Sequence, residues 1–135
     1  MKDSHLLETT SKWDVFNSQC PTRQVLDRIT GKWTVLIVHR LSNGTMRFAE
    51  LRRAVDGISQ KVLTETLRGL ERDGLVVRRL YASVPPRVDY SLTDLGRSLC
   101  GLVAGICGWA EANIERVEKA RAAYDSATQS MRIHQ

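Results

Sequence analysis

Six residues between 59 and 68 carry hydrogen-bonding or charged side chains that fall on one side of a helical wheel: Ser59, Gln60, Lys61, Thr64, Glu65 and Arg68. Val62, Leu63, Leu67 and Leu70 fall on the other side at about 100° per residue. The polar set has the chemistry of duplex recognition. Glutamine pairs with an adenine edge, lysine and arginine with guanine or phosphate, serine and threonine with either. The solvated face of any amphipathic surface helix has the same pattern, so this face takes its meaning from its surroundings. Two more cations flank it, Arg47 before it and Arg87 after it, the latter beside the Pro85-Pro86 pair that stiffens a loop.

Cys20 is the second chemical feature. It precedes Pro21, a residue favoured at the first helical position because its missing N–H is not needed there. A thiolate at that place is stabilised by unpaired N–H groups and the helix dipole. Lys12, Arg23 and Lys32 are close in sequence and add positive potential. Oxidation there gives a sulfenic acid or a disulfide. The competing reading is a buried small hydrophobe. Cys100 and Cys107, seven residues apart on one helical face, read as packing residues. Three scattered cysteines make no disulfide framework and fit a reducing compartment. His5, His39 and His134 are dispersed, so no metal site is expected, and no cofactor either. There is no phosphate-cradling glycine motif and no nucleophile elbow. A Cys20–His39 pair lacks any evident oxyanion site, so an enzyme is not expected.

The secondary structure that places these residues is set by spacing and punctuation. Residues 1–20 form a polar arm with Leu6, Leu7, Trp13 and Phe16, the last two spaced to share a short helix. Helices are expected over 21–30, 32–41 and 48–55, with turns at Asn43-Gly44 and Asp56-Gly57 and a short strand at 45–47. Ser59 caps the helix of the polar face, and Gly74 ends it. Strands over 75–81 and 87–92, joined by a short loop, make a hairpin. Thr93 caps a long final helix to about Arg121, with a frayed tail from Ser126. The fold class is therefore mainly α with a small β-hairpin (α+β), a winged helix-turn-helix. Its expected parts are the arm (1–20), a DNA-binding domain (21–92), a C-terminal dimerisation helix (93–125) and a disordered tail (126–135).

The order helix, tight turn, helix, hairpin gives the polar face its context. A major groove about 12 Å wide admits one helix, a preceding helix holds it, and a hairpin reaches the backbone beside it. Net charge is +5 over 135 residues, with nine basic against six acidic residues between 45 and 90. More than half of the surplus thus lies in the segment expected to meet phosphates. No apolar run approaches a membrane span and no signal core follows the N-terminus, so the expected compartment is the cytoplasm. The last helix carries Leu99, Leu102, Val103, Ile106 and Trp109 as an apolar stripe, with Gly101, Gly105 and Gly108 allowing another backbone to come close. That stripe is long for one small domain to cover, and points to a second copy of the chain.

The run Cys20-Pro21, Gly31-Lys32-Trp33, Arg47-Phe48-Ala49-Glu50-Leu51, Ile58-Ser59-Gln60-Lys61-Val62-Leu63, Asp73-Gly74-Leu75-Val76, Pro85-Pro86, Val88-Asp89-Tyr90-Ser91-Leu92-Thr93, Gly96 and Trp109 resembles the HxlR family of bacterial regulators. The resemblance covers roughly residues 20 to 110, and the step from Tyr90 to Thr93 followed by Gly96 is its sharpest part. It implies a homodimeric winged-helix regulator without enzymatic activity, built on its N- and C-terminal helices. Such a dimer binds near-palindromic duplex operators and more often represses than activates. It also implies that Cys20, at the family's cysteine before proline, is a candidate sensor of oxidants or electrophiles. The alternatives are a winged-helix protein-interaction module and a regulator that answers to a small ligand. Steep salt dependence of binding separates DNA from a protein partner.

Overall fold

Pro21 opens helix α1 (Pro21–Thr30), with Cys20 at its N-cap in extended conformation. Gly31 breaks the helical run and becomes the N-cap of α2 (Lys32–Leu41). The chain then forms a two-residue strand, β1 (Met46–Arg47), and the short helix α3 (Phe48–Ala54). Helix α4 (Gln60–Arg72), strands β2 (Val76–Tyr81) and β3 (Arg87–Leu92) and the single-turn α5 (Asp94–Arg97) come next. Helix α6 (Cys100–Ile133) closes the chain. These elements come from a computed structural model that describes residues 13–133. By internal contacts the chain divides into two units, residues 1–100 and 101–135.

In the first unit the core is built from the apolar stripes of α2, α3 and α4. Ile37, Leu51, Leu63 and Leu70 have no exposed surface. Full burial of side chains of this size stabilises by about 1.5–3 kcal/mol each. Local signals end the elements where the sequence predicts. The Glu50 carboxylate accepts the Arg47 backbone N–H at 2.9 Å, and Ser59 Oγ accepts the Val62 N–H at 3.1 Å. At the end of α4, Gly74 has φ +76, and the N–H groups of Gly74 and Leu75 return to the carbonyls of Glu71 and Leu70. That left-handed closure is one that glycine takes without strain.

The sheet is antiparallel, in the order β1-β3-β2. Met46 pairs with Tyr90 and Arg47 with Asp89; on the other side Val76 pairs with Leu92 and Tyr81 with Arg87. Thr93 ties the hairpin to α5 and to the end of α4: its hydroxyl donates to the Gly74 carbonyl at 2.6 Å and accepts the Gly96 N–H at 3.0 Å. A Cβ on Gly96 would collide with the Leu75 carbonyl oxygen. The Thr93–Gly96 spacing is therefore a packing requirement.

The second unit is α6, 34 residues long, roughly 50 Å at 1.5 Å per residue.

Three expectations change. The single final helix from Asp94 is two helices, because the chain tightens at Ser98–Leu99, where Leu99 N–H bonds the Gly96 carbonyl three residues back. The expected frayed tail is helical to Ile133; Ala127, Gln129, Met131 and Arg132 are good helix formers, and no glycine or proline interrupts them. Residues 13–20 are turns rather than a short helix, with Trp13 and Phe16 exposed. Leu6, Leu7, His5, Lys12 and His134 lie outside the described residues.

Candidate nucleic-acid interface

Helix α4 turns the predicted polar face outward. Gln60, Lys61, Glu65 and Arg68 are exposed and Thr64 is half-buried, while Leu63, Leu67 and Leu70 are buried. Gln60, Lys61, Thr64, Glu65 and Arg68 together line one shallow depression of about 430 Å³. Ser59 is exposed at the start of the helix, but its oxygen already accepts the Val62 N–H. Its hydroxyl proton remains available to a phosphate oxygen.

The clamp at the other end of α4 was not foreseen. Arg28 of α1 lies across Gly69 and pairs with Asp73 at 3.0 Å. A Cβ on Gly69 would run into the Arg28 guanidinium. The recognition-type helix is thus held at its core face by Leu63, Leu67 and Leu70, and at its C-terminus by an ion pair to α1.

Arg47 and Arg87 come together. With Phe48, Ala49 and the loop at 83–88, they line a cavity of about 420 Å³. Arg87 is engaged within the wing. Its guanidinium lies 4.4 Å over the Tyr81 ring, and its Nη2 is 3.3 Å from Asp89 Oδ2. Asp89 is only 8% exposed, although strand alternation puts it on the side opposite to Val88, Tyr90 and Leu92. Its buried Oδ1 and the buried Nε of Arg87 have no hydrogen-bond partner. Asp89 also stands opposite Arg47 and Arg79 in the sheet register. The signal that could have found it is the cross-strand register, which a sequence alone does not supply.

Cys20 is 6% exposed. Its Sγ lies 3.3 Å from Thr22 Oγ1. The Thr22 hydroxyl, and after it the Thr22 backbone N–H, hold the thiol below its ordinary value, against burial and the nearby Asp14 carboxylate. The expected help from Arg23 and Lys32 is not among the causes. Thr22, two residues on, does that work. None of Cys20, Cys100 and Cys107 is in a disulfide.

Of the expected stripe on the last helix, Leu102, Ile106 and Trp109 are exposed, Trp109 at 64%. Gly101, Gly105 and Gly108 have open space where a Cβ would stand. Leu99 lies half-buried in the turn before α6. Val103, expected in the same stripe, is 2% exposed. Among the described residues, no helix is long and apolar enough to cross a membrane.

The profile of the HxlR-like helix-turn-helix matches residues 28–118. The chain belongs to this family. The HTH-type transcriptional regulator YtfH of Escherichia coli (strain K12) is 42% identical over 117 residues, covering 87% of this chain and 93% of the relative. The solved structure of the transcriptional regulator YtfH from Salmonella typhimurium aligns with a TM-score of 0.76 at 44% identity, covering 80% of this chain and 96% of that one. The redox regulator HypR in its oxidized form aligns at TM-score 0.65 and 45% identity, covering 70% and 97%. As an HxlR-like protein the chain is a DNA-binding regulator of transcription and not an enzyme. Its winged helix-turn-helix comprises α3 and α4 with the β2–β3 wing.

Proposed function

We propose that this HxlR-like protein is a cytoplasmic, homodimeric repressor that places α4 in the major groove of each half of a near-palindromic duplex operator. The observation that carries the reading is the single depression lined by Gln60, Lys61, Thr64, Glu65 and Arg68. These side chains offer donors and acceptors to base edges, backed by an apolar face that fixes the helix. Arg47 and Arg87 supply the sequence-independent phosphate contacts, and Ser59 adds one from the helix start. The exposed Leu102, Ile106 and Trp109 on α6, with Leu99 beside them, form the contact with the second copy. A twofold protein reads half-sites about one DNA turn apart.

Cys20 is the proposed redox-responsive group. The lowered thiol and the likeness to a redox regulator solved in its oxidized form support this. Oxidation to a sulfenic acid, or to a disulfide with the second copy, would change the spacing of the two reading helices.

Fluorescence anisotropy on duplex DNA from upstream of the gene, with reductant and then with a mild thiol oxidant, tests both parts. Lys61→Ala and Arg68→Ala should each weaken binding about tenfold (~1–3 kcal/mol for a base or phosphate contact), with the melting temperature unchanged. Unchanged affinity in both variants removes α4 from its role. Oxidant should alter wild-type affinity and leave Cys20→Ser indifferent; an equal response in both makes Cys20 structural.

A further inference from the structure

Beside the reading face lies a second, smaller concavity. Thr64, Leu67, Arg68 and Glu71 of α4 face Arg78 of β2 and Tyr90 of β3 across a cleft of about 190 Å³. The helical residues are spaced i, i+3, i+4 and i+7, which puts them in one stripe. Arg78 and Tyr90 stand directly opposite each other in the sheet register, so their side chains share a face. Buried Leu67 belongs to the same lining, and the polar members carry two guanidinium groups, a phenol, an alcohol and the Glu71 carboxylate. Thr64 and Arg68 line the reading depression as well, so the cleft opens directly beside it.

We propose that this cleft seats one backbone phosphate of the bound duplex, with Arg68, Arg78, Tyr90 and Thr64 as its donors and Glu71 as a place-holder on Arg78. The proposal rests on the DNA-binding reading above and adds Arg78, Tyr90 and Glu71 to it. Size and chemistry argue together. The volume is below the roughly 300–1,000 Å³ of pockets for small organic ligands, which suits a single compact group. Arginine presents a planar fork matched to phosphate oxygens, and two of them converge here from different elements. Burial pushes the Tyr90 phenol up from its ordinary value, and Arg78, Glu71 and Arg68 all act on it electrostatically. The phenol therefore keeps its proton and donates it as a hydrogen bond. Glu71 lies 3.5 Å from Arg78 in a pair with both side chains well exposed. A pair of that kind is weak, so an arriving phosphate takes Arg78 from it at little cost.

The same chemistry would accept free inorganic phosphate, and the test separates the two. Anisotropy on duplex DNA over a salt series is measured for wild type, Arg78→Gln, Tyr90→Phe, Glu71→Gln and the double variant Glu71→Gln/Arg78→Gln, with thermal melts of each. Arg78→Gln should weaken specific and random duplexes alike, by about tenfold, and lower the slope of log affinity against log salt by about 1. Tyr90→Phe should weaken binding a few-fold at unchanged slope. Glu71→Gln should tighten binding severalfold, a gain that misfolding cannot produce, and the gain should vanish in the double variant.

A wild-type slope in Arg78→Gln, or an equal Glu71→Gln gain with and without Arg78, overturns the seat. If inorganic phosphate raises the melting temperature of wild type but not of Arg78→Gln, while DNA binding ignores Arg78, the site takes a free anion and the duplex assignment is overturned. If wild type binds no duplex at any salt, the regulator reading itself has failed and the seat falls with it.

Discussion

At the entrance to α1 the Cys20 thiol and the Thr22 hydroxyl sit 3.3 Å apart, and that hydrogen bond is the largest of the influences that lower the thiol. Thr22→Val keeps the shape and removes the hydroxyl. The thiol should move back up toward its ordinary value, and residue-resolved alkylation of Cys20 should shift to higher pH, while Cys100 and Cys107 are unchanged. The linkage has a definite sign. A depressed thiol leaves the folded chain holding fewer protons than the unfolded chain between the two values, so stability rises with pH through that interval and reaches its full value above it. Denaturant melts of wild type and Cys20→Ser should diverge as pH climbs toward 9.0, the thiol's ordinary value. Asp89 poses the matching question on the wing. Asp89→Asn keeps the size and removes the charge that draws Arg87 inward. The variant should bind random duplex several-fold more tightly in anisotropy; unchanged binding would mean that the pairing does not hold Arg87 back from DNA.

At the scale of elements, the helices that build and cap the reading face were legible because each carries its own punctuation. Ser59 and Gly74 bracket α4, Pro21 opens α1, and the apolar stripe of α4 has the helical period. The inward turn of Asp89, the Arg28 clamp over Gly69 and the break at Ser98–Leu99 were not legible. Each depends on a partner far away in the chain or on a turn closing against its neighbour. The Thr93–Gly96 step lies between these cases, because the residues stand out in the sequence while their reason is visible only in space. Gly96→Ala sets a methyl against the Leu75 carbonyl and should cost about 1–3 kcal/mol, in the range of overpacked sites. Thr93→Ala loses an N-cap and a bond to the Gly74 carbonyl and should cost about 1–2 kcal/mol. Both should show up as a lower melting temperature without a change in the helix signal of the folded state.

For the whole molecule, the question is what α6 does with an exposed tryptophan and isoleucine. A patch of this kind marks an association surface more often than an isolated apolar residue does. Ile106→Glu with Trp109→Glu should shift sedimentation to the monomer and lower operator affinity strongly, because two linked half-sites then act as one. The melt of the first unit should change little. A dimer that survives both charges assigns the surface elsewhere. The order of the sheet has a different consequence. β3 is the last strand in the chain yet lies between β1 and β2, which do not pair with each other. A nascent chain that has left the ribosome as far as Pro86 owns all of α1 to α4 but no sheet at all. The wing therefore assembles in a single late step, once Leu92 is clear, when β3 pairs with both neighbours. Until then Val76 on β2 and Met46 on β1 lack the strand that pairs with them, so a chain that has emerged only to between 81 and 92 exposes unpaired strand edges of the kind that aggregate.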